Sequence, residues 1–316
     1  MCVICAAAIG AAPDAALAAE EAFPAVPAPF PLEGAAMGAV LTWTGVAGFV
    51  LERDGTRIAF DPFVTRPGLF SALFRRARPD AGAVAAAFSG LSAVFVGHTH
   101  YDHAMDLPAV ALASPDAVIF GGVTTVEAFR RLGIPPARLR AVDDGSAHDV
   151  GPFRVEAIRS RHGVVPVARY VDRLRLPREG VPRTPFRWPR GEVFAWRATL
   201  GGRAVHVQGS AGIDEAALAR QAPADVVIAC LAARKGTPRY LERLGDRLRP
   251  RVLVPCHHDD FFRPAAQPMG FSLNVDLAGF TDEVRAVSKD FAIHTVGLGQ
   301  PVAAPAPAPA PAPAPV

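Results

Sequence analysis

The sequence predicts an α/β fold in which two mixed β-sheets pack together with helices outside, and three observations carry that expectation. Strand-like apolar runs recur through the middle of the chain, the early ones are joined by hairpin turn signals, and the later ones alternate with helical patterns. With 316 residues, half of them apolar, the chain has enough material for a large core and is not intrinsically disordered.

Taken in order, AVLTWTG (39–45), GFVLERDG (48–55) and RIAFDPFV (57–64) read as strands, with Asp54-Gly55 as a turn between the second and third. AVFVGH (93–98) and AVIFGG (117–122) are short strand-like runs. FRVEAIRS (153–160), VFAWRATLGG (193–202) and AVHVQG (204–209) follow, the last two joined at Gly201-Gly202. DVVIACL (225–231) and RVLVPCHH (251–258) complete the set. Helical spacing is expected in TTVEAFRRLG (124–133), DEAALARQA (214–222), TPRYLERLGDRL (237–248) and LAGFTDEVRAVSKDF (277–291). No internal repeat is visible.

The organisation expected is a core domain over 37–299 between two appendages. Residues 1–36 form an Ala/Pro-rich extension, and 300–316 an alternating Pro-Ala tail suited to extended polyproline II. A basic insert at 166–190 holds seven arginines and five prolines, which makes it a loop rather than a core element. It reads either as a solvated basic loop or as a cover over an anionic substrate, since guanidinium forks match phosphate and carboxylate.

Composition narrows the function. A formal charge of +3 gives no global attraction to nucleic acid, so no such partner is expected. Cys2, Cys5, Cys230 and Cys256 are too few and too unevenly spaced for a secreted disulfide framework. No apolar run reaches the roughly 18 residues of a transmembrane span. The N-terminal stretch has small and apolar residues but lacks the basic start of a signal peptide, which favours a cytoplasmic location over export.

Chemistry concentrates at GHTHYDHAMD (97–106), where three of the nine histidines and two aspartates fall within ten positions. An apolar strand runs straight into the cluster, so the candidate ligands lie at a strand's C-terminal end, where open sheets place their sites. His98 and His100, two apart, can face the same way from an extended segment, with Asp102 and His103 following as the chain turns. Imidazole nitrogens with one carboxylate suit zinc, and suit iron or manganese less selectively.

This H-x-H-x-D-H run resembles the signature of the metallo-β-lactamase superfamily. Asp61 in AFDPF, His162 in SRHG and His257 in LVPCHHDDF stand in the family's order, and the resemblance spans roughly 38–297. The opening LTWTGVAGFVLERDGTRIAFDPFV is similar to N-acyl-phosphatidylethanolamine phospholipase D and ascorbate-phosphate lactonase relatives. The resemblance implies a four-layer αββα sandwich and a hydrolase holding one or two zinc ions at one edge. His98, His100 and His162 would hold the first ion, and Asp102, His103 and His257 the second. Metal-bound hydroxide would attack an ester, lactone, amide or phosphodiester of a small-molecule or lipid-like substrate, with Asp102 orienting the water. Asp61 would support the metal loop.

One position departs from the family pattern. After AVHVQ the family usually carries Gly-Asp-Thr-Gly, whose aspartate bridges the metals, whereas this chain reads Gly209-Ser210-Ala211-Gly212. A hydroxyl is a weaker ligand than a carboxylate, so one metal, two metals bridged by water, or rescue by Asp214 or Asp259 are all open. A non-catalytic metal-binding protein of the same fold is the alternative from another class, and a nuclease of the superfamily a further one.

Other residues carry two readings each. Cys256 is either a buried thiol or a ligand, with alternation along the strand against the latter. His258 lines the pocket or supports a ligand, and Asp259 and Asp260 either orient imidazoles or cap a helix. In GLFSALFRRAR, the face of Phe70, Leu73 and Phe74 beside Arg75, Arg76 and Arg78 either packs on the core or meets a lipid surface.

Overall fold

The computed structural model describes residues 38–76, 78–164, 174–263, 270–272, 275–295 and 301–303. The expectations for 1–36, for the first part of the basic insert and for most of the tail lie outside the described residues.

In chain order the elements are β1 (Val40–Gly45), β2 (Gly48–Arg53), β3 (Thr56–Phe60), α1 (Leu69–Phe74), α2 (Ala81–Phe88), β4 (Ala93–Phe95), α3 (Tyr101–Ala104), α4 (Leu107–Ala113), β5 (Val118–Gly121), α5 (Val123–Arg131) and β6 (Leu139–Ala141). They continue with β7 (Ala147–Val150), β8 (Phe153–Arg159), β9 (Phe194–Leu200), β10 (Arg203–Gln208), α6 (Glu215–Ala219), β11 (Val226–Cys230), α7 (Tyr240–Leu248), β12 (Val252–Cys256), α8 (Leu277–Val287), β13 (Ala292–Ile293) and β14 (Pro301–Ala303).

The strands form two mixed sheets of seven, ordered β14-β1-β2-β3-β4-β5-β6 and β13-β12-β11-β10-β9-β8-β7. Period-two alternation explains how the first sheet separates two cores. Phe49, Leu51, Ile58, Phe60, Ala93 and Phe95 face the second sheet, while Val50, Ala59, Val94 and Val96 face a separate apolar layer that includes Phe88 of α2 and Phe129 of α5. Between the sheets, Phe95 stacks on Phe60 at 5.5 Å and Phe120 at 4.9 Å, and meets Trp196 of the opposite sheet at 5.1 Å. Truncating such a ring to alanine costs about 3–5 kcal/mol.

Both expected turns form. Asp54 and Gly55, and likewise Gly201 and Gly202, have positive φ, as two-residue hairpin turns require. Strand directions then place the site. β3 and β4 are parallel, as are β10, β11 and β12, and β8 runs with β10 because both are antiparallel to β9. Asp61, the 97–103 loop, His162, Ser210 and His257 all follow the C-terminal ends of such strands.

Three features differ from the sequence reading. Pro301, Val302 and Ala303, the described start of the tail, pair antiparallel with Thr42, Leu41 and Val40 of β1, adding an edge strand to the sheet. In α1 only Ala72 is buried; Phe70 and Phe74 are 60% and 66% exposed and lie against each other, with Arg75 over the Phe70 ring. The core-packing reading of that face therefore fails, because a helix of six residues is too short to turn all its large side chains inward. After Asp259 and Asp260 the described chain enters a turn, not a helix, so neither serves as a helix cap.

Candidate metal centre

Asp61 organises the centre. Its backbone is left-handed (φ 41°) as the chain leaves β3, its N–H donates to Phe95 O at 3.0 Å, and its side chain is almost wholly buried. Oδ1 accepts the Gly97 N–H at 2.5 Å, and Oδ2 lies 2.9 Å from His103 Nδ1. A Cβ at Gly97 would stand 2.9 Å from Asp61 Oδ2, and one at Gly209 2.6 Å, so both loops need glycine to close around this carboxylate.

The candidate ligands gather into two groups, His98 with His100 and His162, and Asp102 with His103 and His257, the donor atoms of each within 4.8 Å of one another. In the first, His98 Nε2 is 3.0 Å from His100 Nδ1. His162 Nδ1 lies 2.8 Å from Gly163 O, so with the proton on Nδ1 its Nε2 keeps a lone pair for a ligand. In the second, Asp102 Oδ2 is 3.3 Å from His257 Nε2 and 3.9 Å from His103 Nε2. A tetrahedral ion with metal–nitrogen bonds near 2.0–2.1 Å sets its ligand atoms about 3.3 Å apart, so these spacings fit a divalent cation.

Charge agrees with geometry. Burial, reinforced by neighbouring imidazoles, holds His98 and His100 well below the usual imidazole range, and burial brings His162 down to about 4. Neutral imidazoles are the form that binds a metal. Burial alone would raise the Asp102 carboxyl, but His103 and His257 outweigh it and keep the group ionised. Burial likewise opposes a charge on His103, yet Asp61 and Asp102 outweigh it and raise its pKa.

Ser210 stands beside the first group. Its Oγ accepts the Gly163 N–H at 3.2 Å, and the Gln208 amide donates to the carbonyls of Ser210 and Gly212 at 2.8 and 2.7 Å. The hydroxyl therefore positions the loop that carries His162. Asp214 is an N-cap for α6, accepting from Ala217 N at 3.1 Å, and Asp259 is committed elsewhere, so neither replaces the missing carboxylate.

Asp259 does not orient an imidazole. Fully buried, it accepts the Val46 N–H at 2.9 Å and pairs with Arg66 at 2.6 Å, while His257 N–H donates to Val46 O at 2.7 Å. The Asp259–Val46 and His257–Val46 contacts fasten the His257 loop, itself left-handed at φ 57°, to the β1–β2 turn. His258 stacks on Trp43 at 4.7 Å, away from the ligand groups, and burial brings it down to about 4. Cys256 and its register partner Cys230 are buried, and burial pushes both thiols up into the inert range. His206, outside every motif, is buried beside Gln208 at 3.1 Å.

Two residues escaped sequence reasoning. Arg66 lies 193 positions from Asp259, and no local pattern announces such a pair. Arg190 is the last residue of the basic insert, and only its position in space separates it from the other arginines there.

Comparison with known proteins follows the same lines. A family model described as a beta-lactamase superfamily domain matches residues 56–258. No curated protein matches. Among solved structures, a metallo hydrolase from the hyperthermophilic archaeon Ignicoccus hospitalis aligns over 84% of this chain and 97% of its own, with TM-score 0.54 and 16% identity. An isothiocyanate hydrolase from Delia radicum gut bacteria aligns over 84% and 100%, with TM-score 0.52 and 17% identity. A diiron β-hydroxylase from Streptomyces venezuelae aligns over 84% of this chain and 54% of its own, with TM-score 0.56 and 16% identity. At these identities the likeness is one of fold. Among the described residues no helix is long and apolar enough to cross a membrane.

Proposed function

The chain belongs to the beta-lactamase superfamily, and from that membership we propose that it is a metal-dependent hydrolase. The observation that carries the reading is the pair of ligand groups, His98/His100/His162 and Asp102/His103/His257, at the C-terminal ends of the sheet strands. Three imidazoles in one group and two with a carboxylate in the other favour zinc, with iron or manganese as alternatives. A divalent cation held there would supply Lewis acidity and make water a nucleophile at neutral pH.

The chain's own residues do the rest. Asp102, kept ionised by His103 and His257, accepts a hydrogen bond from the attacking water and orients it. His103 is fixed in turn by Asp61 behind it, which sets the ring's direction. The bond attacked is an ester, lactone, amide or phosphodiester, and fold likeness alone does not choose among these.

A second reading has its own observation. Ser210 offers no carboxylate between the groups and its hydroxyl is engaged by Gly163 N–H, which favours a protein that binds metal without turnover. Elemental mass spectrometry on chelator-free protein, followed by ester, lactone and phosphodiester panels, separates the two. Hydrolysis that disappears in Asp102→Ala supports the enzyme. Bound metal with no turnover on any panel supports the binding protein, and no metal after reconstitution overturns both.

A further inference from the structure

Phe70 and Phe74 are the only aromatic members of the five large apolar side chains exposed on the described surface. One helical turn apart on α1, their rings meet at 5.3 Å between centroids and form a single patch. A contiguous apolar patch marks an interaction surface, whereas a lone exposed ring marks nothing. The patch also stands on a fixed base. Ala72, between the two rings in sequence, is buried and holds α1 to the body, and a single helical turn at Pro185–Arg187 packs against α1. That turn is itself anchored: Pro185 and Trp188 are buried, and the Phe186 ring lies 5.3 Å from Tyr101 and 6.0 Å from Phe262.

Charge around the patch has one sign. From Pro62 to Pro79 the chain has no aspartate or glutamate, and from Gly180 to Pro189 it has none either. Arg66 of the first stretch is buried against Asp259. Arg75, Arg76 and Arg78 beside the patch, and Arg183 and Arg187 at the neighbouring turn, are exposed and form no ion pair among the described residues. Elsewhere exposed arginines meet acids, as Arg130 and Arg131 do Glu127, Arg154 does Asp149 and Arg239 does Glu242. The Arg75 guanidinium lies over the Phe70 ring, 5.3 Å from its centroid, so cation and ring belong to one surface.

We propose that α1 and the turn beside it dock on a membrane surface rich in anionic phospholipid, with Phe70 and Phe74 entering the boundary between headgroups and acyl chains and Arg75, Arg76 and Arg78 meeting the lipid phosphates. Charge and apolarity together select that occupant. A second copy set face to face by a two-fold axis would bring the same arginines against each other. Duplex nucleic acid offers phosphates to the arginines but no apolar layer to the rings. An anionic bilayer supplies both at one surface. Attachment through one short face is peripheral and reversible, and the proposal rests on no part of the hydrolase reading.

The test floats the full-length protein with vesicles of phosphatidylcholine and phosphatidylglycerol in equal parts, and with vesicles of phosphatidylcholine alone. The wild type is expected to float with the mixed vesicles, far less with the neutral ones, and less as salt rises. Replacing Arg75, Arg76 and Arg78 together by glutamine should weaken partitioning about a hundredfold, at about fivefold for each charge. Phe70→Ser with Phe74→Ser should weaken it about tenfold. These side chains are exposed, so the thermal midpoint should stay at the wild-type value. Phe74→Trp adds an exposed indole to a chain whose three tryptophans are buried, and its emission should shift to the blue on mixed vesicles alone. Should a combined variant not fold, that emission decides. No flotation of the wild type, equal flotation with both vesicles, partitioning unchanged in both variants, or an unmoved Phe74→Trp emission overturns the proposal. A single-stranded oligonucleotide captured, or a dimer formed, through Phe70 and Phe74 while vesicles are ignored gives the face to that partner and overturns it likewise.

Discussion

The two ligand groups share His98 as a neighbour yet differ in charge and in what holds them. The first is three imidazoles, steadied by the Gly163 carbonyl and the hydroxyl of Ser210. The second contains Asp102, has Asp61 behind His103, and is clamped through His257 to Val46 and Asp259. A divalent cation on the second group would be offset by Asp102 and further by Asp61, whereas one on the first would meet imidazoles alone. A serine in place of a carboxylate at position 210 would therefore cost the second group less than the first, because two carboxylates stand around the second.

The most severe way to break this comparison is to remove the ring both groups touch. His98 lies 3.9 Å from the His103 ring, 4.7 Å from His100 and 5.1 Å from His162, centroid to centroid. His98→Ala is expected to reduce hydrolysis to background and to lower metal content at both groups, read by elemental mass spectrometry. Retained turnover would show that the second group works alone.

The clamp of the second group is the next target. Arg66 and Asp259 form an ion pair with side chains 5% and 0% exposed. Removing one partner of such a pair leaves a buried charge and costs about 3–5 kcal/mol. Arg66→Met should show that loss in urea unfolding together with weaker metal retention, since the His257 loop is anchored through the same aspartate. Arg66→Met combined with Asp259→Leu, which leaves no stranded charge, should recover much of the stability. If it recovers none, the pair is not the source of the loss.

How much of this could be read from the sequence follows from distance along the chain. His98, His100, Asp102 and His103 are legible because they fall in one short run behind an apolar strand. His162 is an isolated histidine and His257 stands beside His258, and only their order in a family pattern singles them out. The β2–β3 and β9–β10 hairpins are legible because their turn residues announce themselves. Arg66 with Asp259, Thr99 with Arg190 and β14 with β1 are not, since each joins segments far apart and the bonds involve backbone groups or a single arginine among many. β6 and β7 escape for another reason: three or four residues with few buried side chains leave no alternation to detect.

The support behind His103 offers a gentler change that sharpens the contrast. Asp61→Asn keeps the shape but removes the charge facing His103 Nδ1, and altering such a supporting group typically weakens metal binding about 10–100-fold. The loss should fall on the second group alone, so competition with a calibrated chelator should reveal one weakened site and one unchanged. Equal weakening of both would mean that Asp61 acts through the Gly97 and Gly209 loops rather than through His103.

The smallest effect is expected at Ser210, where the two groups were to be joined. Ser210→Ala removes one hydrogen bond, from Gly163 N–H, and should cost about 1 kcal/mol in unfolding with metal stoichiometry unchanged. Ser210→Asp keeps an acceptor within reach of the same N–H and adds a charge beside the first group. If the first group is short of negative charge, Ser210→Asp should retain its ion more firmly through dialysis, while the second group, already served by Asp102 and Asp61, changes little. Unchanged retention at both groups would mean that the first group is not short of negative charge.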